Sequence, residues 1–256
     1  MKSTVLFDLD DTLLWDAKSV EVALRKTCSQ LAPAHADTLY QSIREEAPRV
    51  YQTYSFYEFT QKIGINPFEG LWGTFPDEQF HFPSMGEQIR AYQIQAWEQA
   101  LQKSGFDPDF ASDAVTTFSE FRKSHPYFYE ETLEVLQKVS EQYTIGIVTN
   151  GAPSLQNMKF DLSPELKSFA QTIVISGEVG IGKPDAVPFE EALRRLSVKP
   201  RDVWMIGDNV NTDIRGAEQL NIETIWINHH SQVSPEDIHP TFEVSRLREI
   251  LPILEL

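Results

Sequence analysis

Short apolar runs alternate with helical periodicity in two parts of the chain. The runs are rich in Val, Ile and Trp, which is typical of buried strands. Strands are predicted near 4–8, 143–148, 172–176, 202–207 and 223–228. Helices are predicted near 131–141, 153–160, 187–197 and 212–220, with a short one at 245–254. Strands that alternate with helices predict an α/β fold with a doubly wound parallel sheet.

The segment 16–126 has a different pattern, because its apolar residues recur at helical spacing without strand-like runs. Ser55 and Glu58 have the spacing of a capping box, which predicts a helix start. Pro48 is expected to interrupt the helix before it. The pattern therefore predicts an all-helical insertion, 16–126, within an α/β domain made of 1–15 and 127–256.

Aromatic residues are dense within the insertion between 51 and 82. They are Tyr51, Tyr54, Phe56, Tyr57, Phe59, Phe68, Trp72, Phe75, Phe80 and Phe82. We expect most of them to form the core of the insertion, with one or two facing a ligand. His35, His81 and His125 lack metal-ligand spacing and are interpreted as core or surface residues.

The composition of the chain limits its possible partners and its cellular location. The chain has 256 residues, 41% hydrophobic and 23% charged, and its net charge is -16. A surface this acidic disfavours nucleic acid and anionic membranes as partners. No apolar run approaches the length of a membrane span. The single Cys28 excludes an internal disulfide and, with no signal peptide recognised, predicts a cytoplasmic protein.

Polar groups follow the predicted strands where each strand ends. Asp8 and Asp10 follow the first strand, Thr149 and Asn150 the second, and Asp208 a later one. The carboxyl ends of strands in an open α/β sheet line one crevice, where ligands bind. Two carboxylates two residues apart repel unless a cation lies between them, and Mg²⁺ prefers such oxygen ligands. An ionised Asp can also act as a nucleophile, although an isolated pair could be only a solvated turn.

Four segments in fixed order resemble the haloacid dehalogenase-like (HAD) hydrolase superfamily. They are Asp8–Asp10, Thr149–Gly151, Gly182–Asp185 and Gly207–Asp213. The resemblance covers the first fifteen residues and the C-terminal half of the chain. It implies a Rossmann-like core, a cap domain inserted after the first motif, and a phosphoric monoester hydrolase that forms an aspartyl-phosphate.

The resemblance also implies a role for each acidic motif residue. Asp8 would be the nucleophile, and Asp10 would be the general acid and later the general base. The Asp8 carboxylate, the Asp10 backbone carbonyl and Asp208 would bind Mg²⁺. Asp213 would hold Lys183 or a metal-bound water.

Three further residues would contact the phosphoryl group. The resemblance implies that Thr149 and the Asn150 backbone bind its oxygens and that Lys183 offsets the charge of Asp8 and phosphate. The expected substrate is a small phosphorylated metabolite of the nucleotide or sugar phosphate type. The insertion would be a mobile lid that selects it, with hinges near Trp15–Asp16 and His125–Pro126.

Other functions stay open at this point. Gly177–Lys183 imitates a P-loop, but Pro184 follows where Ser or Thr is required. Haloacid dehalogenases of the resembled superfamily lack an acid at the position of Asp10, which favours a phosphatase. A phosphomutase or phosphotransferase is the nearest alternative, and a non-catalytic binding protein on an inactive scaffold is the alternative from another class.

Overall fold

A six-stranded parallel sheet positions the polar groups named above. A computed structural model describes residues 2–77, 85–124 and 126–256. The strands of the described residues are β1 (Thr4–Phe7), β2 (Thr144–Thr149), β3 (Ala170–Ile175), β4 (Val203–Gly207), β5 (Glu223–Ile227) and β6 (Phe242–Val244). Their order is β3-β2-β1-β4-β5-β6, and every pair is parallel. The predicted doubly wound α/β fold is confirmed.

The strand order reverses between β1 and β4. Strands β2 and β3 extend the sheet from one side of β1, whereas β4, β5 and β6 extend it from the other. Ligands bind at the carboxyl ends of strands beside such a switch point. Asp8 follows β1 and Asp208 follows β4, so the fold brings two of the predicted site residues to this point.

The described residues divide into two compact units. The α/β unit comprises Met1–Trp15, Phe128–Gly151 and Ser163–Leu256, and the helical unit comprises Asp16–Tyr127 and Ala152–Leu162. The segment 152–162 thus differs from the division predicted from the sequence. Its Leu155 is buried in the hydrophobic core of the helical unit, which accounts for the difference.

Short helices connect the strands of the α/β unit, and one further helix follows the last strand. They are α7 (Thr132–Ser140), α9 (Pro164–Phe169), α10 (Ser176–Val179), α11 (Val187–Leu196), α12 (Arg215–Glu218) and α13 (Ile250–Ile253). Leu6, Val148, Val174 and Met205 from the sheet pack with Phe189 of α11 in one buried cluster. Burial of such apolar side chains is the main favourable contribution to the stability of this unit.

The helical unit contains seven α-helices among its described residues. They are α1 (Asp16–Leu31), α2 (Ala36–Tyr51), α3 (Tyr57–Ile63), α4 (Pro67–Gly70), α5 (Met85–Lys103), α6 (Ala111–Ser124) and α8 (Pro153–Leu162). The prediction that Pro48 interrupts its helix is wrong, because α2 continues to Tyr51. Burial of Ala47, Val50 and Tyr51 outweighs the lost hydrogen bond.

The predicted capping box at Ser55 is also wrong. Helix α3 begins at Tyr57, and its N-cap residue, Phe56, makes no side-chain cap. The capping box of this region lies at α4, where Asn66 and Glu69 exchange side-chain-to-backbone hydrogen bonds. An Asn at the N-cap with a Glu three residues later satisfies the same rule that Ser55 and Glu58 imitate.

Aromatic side chains form much of the helical unit's core, as predicted. Tyr51, Phe56, Trp72 and Phe75 are buried there, and the Tyr51 ring contacts that of Tyr92 edge-on at 4.9 Å. Phe80, His81, Phe82 and His125, which the sequence analysis also singled out, lie outside the described residues. None of the described helices combines the length and apolar character of a membrane span.

Candidate active site

Asp8 is held at the switch point by its backbone. Its N–H donates to the carbonyl oxygen of Ile206 at 2.9 Å, which continues the pairing of β1 with β4 by one residue. The residue as a whole is 7% exposed. Asp10 lies on the following turn and is partly buried. In that turn Asp11 adopts φ of 59°, and the His229 ring contacts its carbonyl oxygen through Nε2 at 3.1 Å.

Lys183 is the cation of the site. Its ammonium group lies 2.6 Å from Asp8 Oδ1 and 2.7 Å from Asp213 Oδ1, and it donates to the Val148 carbonyl oxygen at 2.7 Å. Lys183 and Asp213 are both buried. Asp8, Lys183 and Asp213 belong to three segments that lie far apart in the sequence, and the structure brings their charged atoms together.

Thr12 belongs to the same cluster. Its fully buried hydroxyl lies 3.4 Å from Asp8 Oδ2 and 3.2 Å from Asp208 Oδ1, and it accepts the Asp208 backbone N–H at 3.0 Å. Sequence analysis missed this role. The available signal was its position four residues after Asp8, in a turn that returns the chain toward the strand end.

Three carboxylates converge beside Lys183. Asp8, Asp208 and Asp213 each present an oxygen, and these oxygens lie within 4.8 Å of one another. Oxygen donors of this kind are those that Mg²⁺ takes from proteins. Asp213 also accepts the Asn209 backbone N–H at 3.1 Å through Oδ2, while its other oxygen faces Lys183.

The carboxylates carry more negative charge than Lys183 offsets. Burial, together with the charges of Asp8, Asp213 and Asp11, raises the pKa of Asp208 to about 9. Burial also raises the pKa of Asp8 to about 6, although Lys183 acts in the opposite direction. Burial alone would lower the pKa of Lys183, but Asp213 and Asp8 reverse that effect and raise it. A further cation beside Asp208 would favour the ionised carboxylates.

The end of β2 supplies the remaining predicted residues. Thr149 is the buried last residue of the strand, and Asn150 follows it, partly buried. Asn150 contacts the backbone of Lys183 on both sides, since its Oδ1 accepts from the Lys183 N–H at 2.8 Å and its Nδ2 donates to the Lys183 carbonyl at 3.0 Å. The Asn150 side chain was not assigned this contact from the sequence.

A comparison with known protein families identifies the family of this chain. Residues 2–221 match the family model of haloacid dehalogenase-like hydrolases. The chain belongs to this family. The membership predicted from the four motifs is therefore confirmed.

Two relatives of this HAD-like hydrolase are named as phosphatases. The chain is 27% identical over 246 residues to a phosphoserine phosphatase of Thermus thermophilus, covering 96% of each chain. It is 28% identical over 261 residues to a glyceraldehyde 3-phosphate phosphatase of Methanopyrus kandleri, covering 99% of this chain and 97% of the relative. The predicted enzyme class, a phosphoric monoester hydrolase, agrees with both names.

A solved structure shares the fold over the whole chain. It is the putative HAD-hydrolase YfnB of Bacillus subtilis bound to magnesium, with a TM-score of 0.69 and 22% identity. The match covers 100% of this chain and 99% of that one. At this level of identity the likeness concerns the fold alone.

Proposed function

We propose that this protein is a Mg²⁺-dependent phosphatase that hydrolyses a small phosphorylated metabolite through an aspartyl-phosphate on Asp8. The observation that carries the proposal is the buried cluster in which Lys183 touches Asp8 and Asp213 while Asp208 lies beside them. Phosphoryl transfer depends chiefly on positioning and on stabilising the charge of the transferred group. The cluster combines a nucleophile, a cation and further acidic ligands at one strand edge.

The first step forms one P–O bond and breaks another. An ionised oxygen of Asp8 attacks phosphorus, and the bond to the leaving oxygen breaks. Asp10 gives its proton to that oxygen, which leaves as an alcohol. Lys183 offsets charge on Asp8 and on the phosphoryl oxygens, and Thr149 and the Asn150 backbone orient those oxygens.

The second step releases phosphate. Asp10, now ionised, takes a proton from water as the water oxygen attacks phosphorus. The bond between phosphorus and the Asp8 oxygen breaks, which regenerates both carboxyl groups and frees inorganic phosphate. One residue thus serves as acid and then as base, which fits the partly buried position of Asp10 on the turn after Asp8.

Magnesium fits the residues present. The donors are carboxylate oxygens, and the pKa of Asp208 is raised first by burial and then by the negative charges of Asp8, Asp213 and Asp11, which a bound cation would offset. Asp8, Asp208 and the Asp10 backbone carbonyl would hold the ion, with Asp213 retained by Lys183. When bound, Mg²⁺ would offset the charge that these groups and the phosphoryl oxygens bring together.

The names of two relatives and the presence of the helical insertion support this substrate class. Phosphoserine and glyceraldehyde 3-phosphate are named for the relatives, so small phosphate monoesters are the first candidates. The motifs supply groups for the phosphoryl centre and an acid for the leaving oxygen, but none that recognises the rest of the leaving group, and the insertion is our candidate for that task. The single buried Cys28 suits a reducing compartment, and we place the reaction in the cytoplasm.

Hydrolysis of p-nitrophenyl phosphate with Mg²⁺, after chelation, and after restoration of Mg²⁺ tests the reaction. We expect chelation to abolish turnover and Mg²⁺ to restore it. Asp208→Asn should behave like the chelated enzyme, whereas Asp237→Asn, an exposed carboxylate paired with Arg215, should match the wild type. Full activity after exhaustive chelation would refute metal dependence. Failure to release phosphate from this ester and from a panel of phosphorylated metabolites would refute the function.

A further inference from the structure

Lys183 lies where regular secondary structure does not hold the chain. It falls in the connection between α10, which ends at Val179, and α11, which begins at Val187. A residue outside helices and strands has backbone groups that no ladder satisfies, and buried groups of this kind need other partners. The placement of the Lys183 backbone therefore depends on whatever bonds it there.

The Asn150 side chain provides both bonds. Its Oδ1 accepts from the Lys183 N–H at 2.8 Å, and its Nδ2 donates to the Lys183 carbonyl at 3.0 Å. An amide can accept and donate at the same time, and this pairing fixes which atom is oxygen and which is nitrogen. The Asn150 side chain therefore bonds both the N–H and the carbonyl of Lys183, and we call this pair of hydrogen bonds the bracket.

The bracket fixes the backbone from which the long Lys183 side chain extends, and short contacts hold the ammonium group at the other end. The Lys183 ammonium group lies 2.6 Å from Asp8, 2.7 Å from Asp213 and 2.7 Å from the Val148 carbonyl oxygen. A displacement of about 1 Å in a catalytic group can cost about 100-fold in rate. Release of the backbone would loosen the position of the ammonium group beside Asp8.

We propose that the Asn150 side chain is a positioning residue that acts through Lys183. This role is separate from the contact expected between the Asn150 backbone and the phosphoryl group, and its catalytic consequence rests on the proposed function. Because Asn150 directly follows β2, it ties the loop carrying the cation to the strand next to the nucleophile's own. The motif after β2 thereby sets the geometry of the motif that contains Lys183.

The chain offers a matched control. Asn228 brackets Gln232 in the same manner, with Nδ2 donating to the Gln232 carbonyl at 2.8 Å and Oδ1 accepting its N–H at 2.9 Å. Asn228→Ala removes an equivalent pair of bonds from a loop after β5, together with a third bond from Nδ2 to Glu243 Oε1 at 2.7 Å. Asn228→Ala should thus cost at least as much stability as Asn150→Ala, while only Asn150→Ala should disturb Lys183.

The first readout is steady-state kinetics of p-nitrophenyl phosphate hydrolysis with Mg²⁺. We expect Asn150→Ala to lower kcat by about 10- to 100-fold with KM changed far less, because the ammonium group serves the transferring phosphoryl group. In a Lys183→Ala background, Asn150→Ala should change the residual rate by less than about threefold, since groups that act as a unit are not additive. Losses that multiply in the double variant would overturn the proposal.

The second readout is hydrogen exchange of the Lys183 amide, which requires no catalysis. Asn150→Ala should accelerate this exchange by at least about tenfold, because the amide loses its acceptor, and Asn228→Ala should leave it unchanged. Unaltered exchange in Asn150→Ala would overturn the bracket even if the enzyme were a proven phosphatase. Accelerated exchange in a chain that hydrolyses no phosphate ester would instead support the bracket and refute only the proposed function.

Discussion

Gly207 lies directly against Asp213. A Cβ atom on Gly207 would stand 2.2 Å from Asp213 Oδ2 and 2.4 Å from its Cγ, which is closer than non-bonded atoms approach. Gly207 ends β4, and Asp213 reaches back from the following turn to pair with Lys183. The absence of a side chain at 207 is thus what lets the buried carboxylate reach the cation.

Gly207→Ala should therefore impair catalysis as well as stability. The new methyl group would displace Asp213 and with it Lys183, so we expect kcat per folded molecule to fall by at least about tenfold. Gly146→Ala is the matched control, because its Cβ would meet Leu6 Cδ2 at 2.6 Å within the sheet. Both variants should melt at lower temperature, and only Gly207→Ala should lose turnover. Equal kcat in the two folded variants would contradict the assigned role of Asp213.

Magnesium should stabilise the protein more as the pH rises. The pKa of Asp208 is raised to about 9 in the folded chain, so the metal-free protein should lose stability as pH rises from about 4 through that value. Mg²⁺ binds the deprotonated carboxylate, so its effect on the melting temperature should be larger at pH 8 than at pH 5.5. Thermal melts at pH 5.5 and pH 8, with and without Mg²⁺, measure this effect. Asp208→Asn is the control, whose melting temperature should not respond to Mg²⁺. A Mg²⁺-induced rise in melting temperature that is the same at both pH values would contradict a Mg²⁺ site at Asp208.

The sequence predicted most of the sheet because β1, β2, β4 and β5 are buried over nearly their whole length and read as nearly continuous apolar runs. The site residues that follow those strands were predictable for the same reason. Strand β6 was not, because Phe242–Val244 has three residues at the sheet edge, only one of them buried. The roles of Thr12 and of the Asn150 side chain were not predictable either. Thr12 contacts Asp208, which lies 196 positions away, and Asn150 contacts Lys183, which lies 33 positions away.

A buried ion pair in the helical unit makes a stability prediction. Arg122 Nη2 lies 2.7 Å from Asp16 Oδ1, and its guanidinium stacks over Trp72 at 4.6 Å. Removing one partner of a buried pair costs about 3–5 kcal/mol, so Arg122→Met should lower the free energy of unfolding by that amount. Arg201→Met, at an exposed pair with Asp202, should cost less than about 1 kcal/mol. Chemical denaturation at pH 7 compares the two variants. Equal losses in the free energy of unfolding would contradict a stabilising role for the buried pair.

The same pair should be sensitive to acid. Burial of Asp16 alone would raise its pKa, but Arg122 and Lys159 reverse that effect and lower it. A lowered pKa contributes stability that is present above the unfolded value, about 3.8, and is lost as pH falls below it. The difference in free energy of unfolding between the wild type and Arg122→Met should therefore become smaller in acid. A difference that stays constant down to pH 3 would contradict the pairing.

Cys28 should be unreactive in the folded protein. It is fully buried in the core of the helical unit, and burial raises the pKa of its thiol to about 12. The thiolate is the reactive form, so a thiol reagent at pH 8 should label the native chain far more slowly than the chain in guanidinium. Rapid labelling of the native protein would show that α1 does not pack as described.

The most direct test of the central claim is the detection of a phosphoryl group on Asp8. Rapid acid quenching during turnover of p-nitrophenyl phosphate with Mg²⁺, followed by mass spectrometry of the N-terminal peptide, should reveal one added phosphoryl group at Asp8. Asp8→Asn should remain folded, carry no such group and lose at least about 10³-fold in kcat. Turnover with no covalent phosphoryl group on Asp8, together with an Asp8→Asn rate within about tenfold of the wild type, would contradict the account.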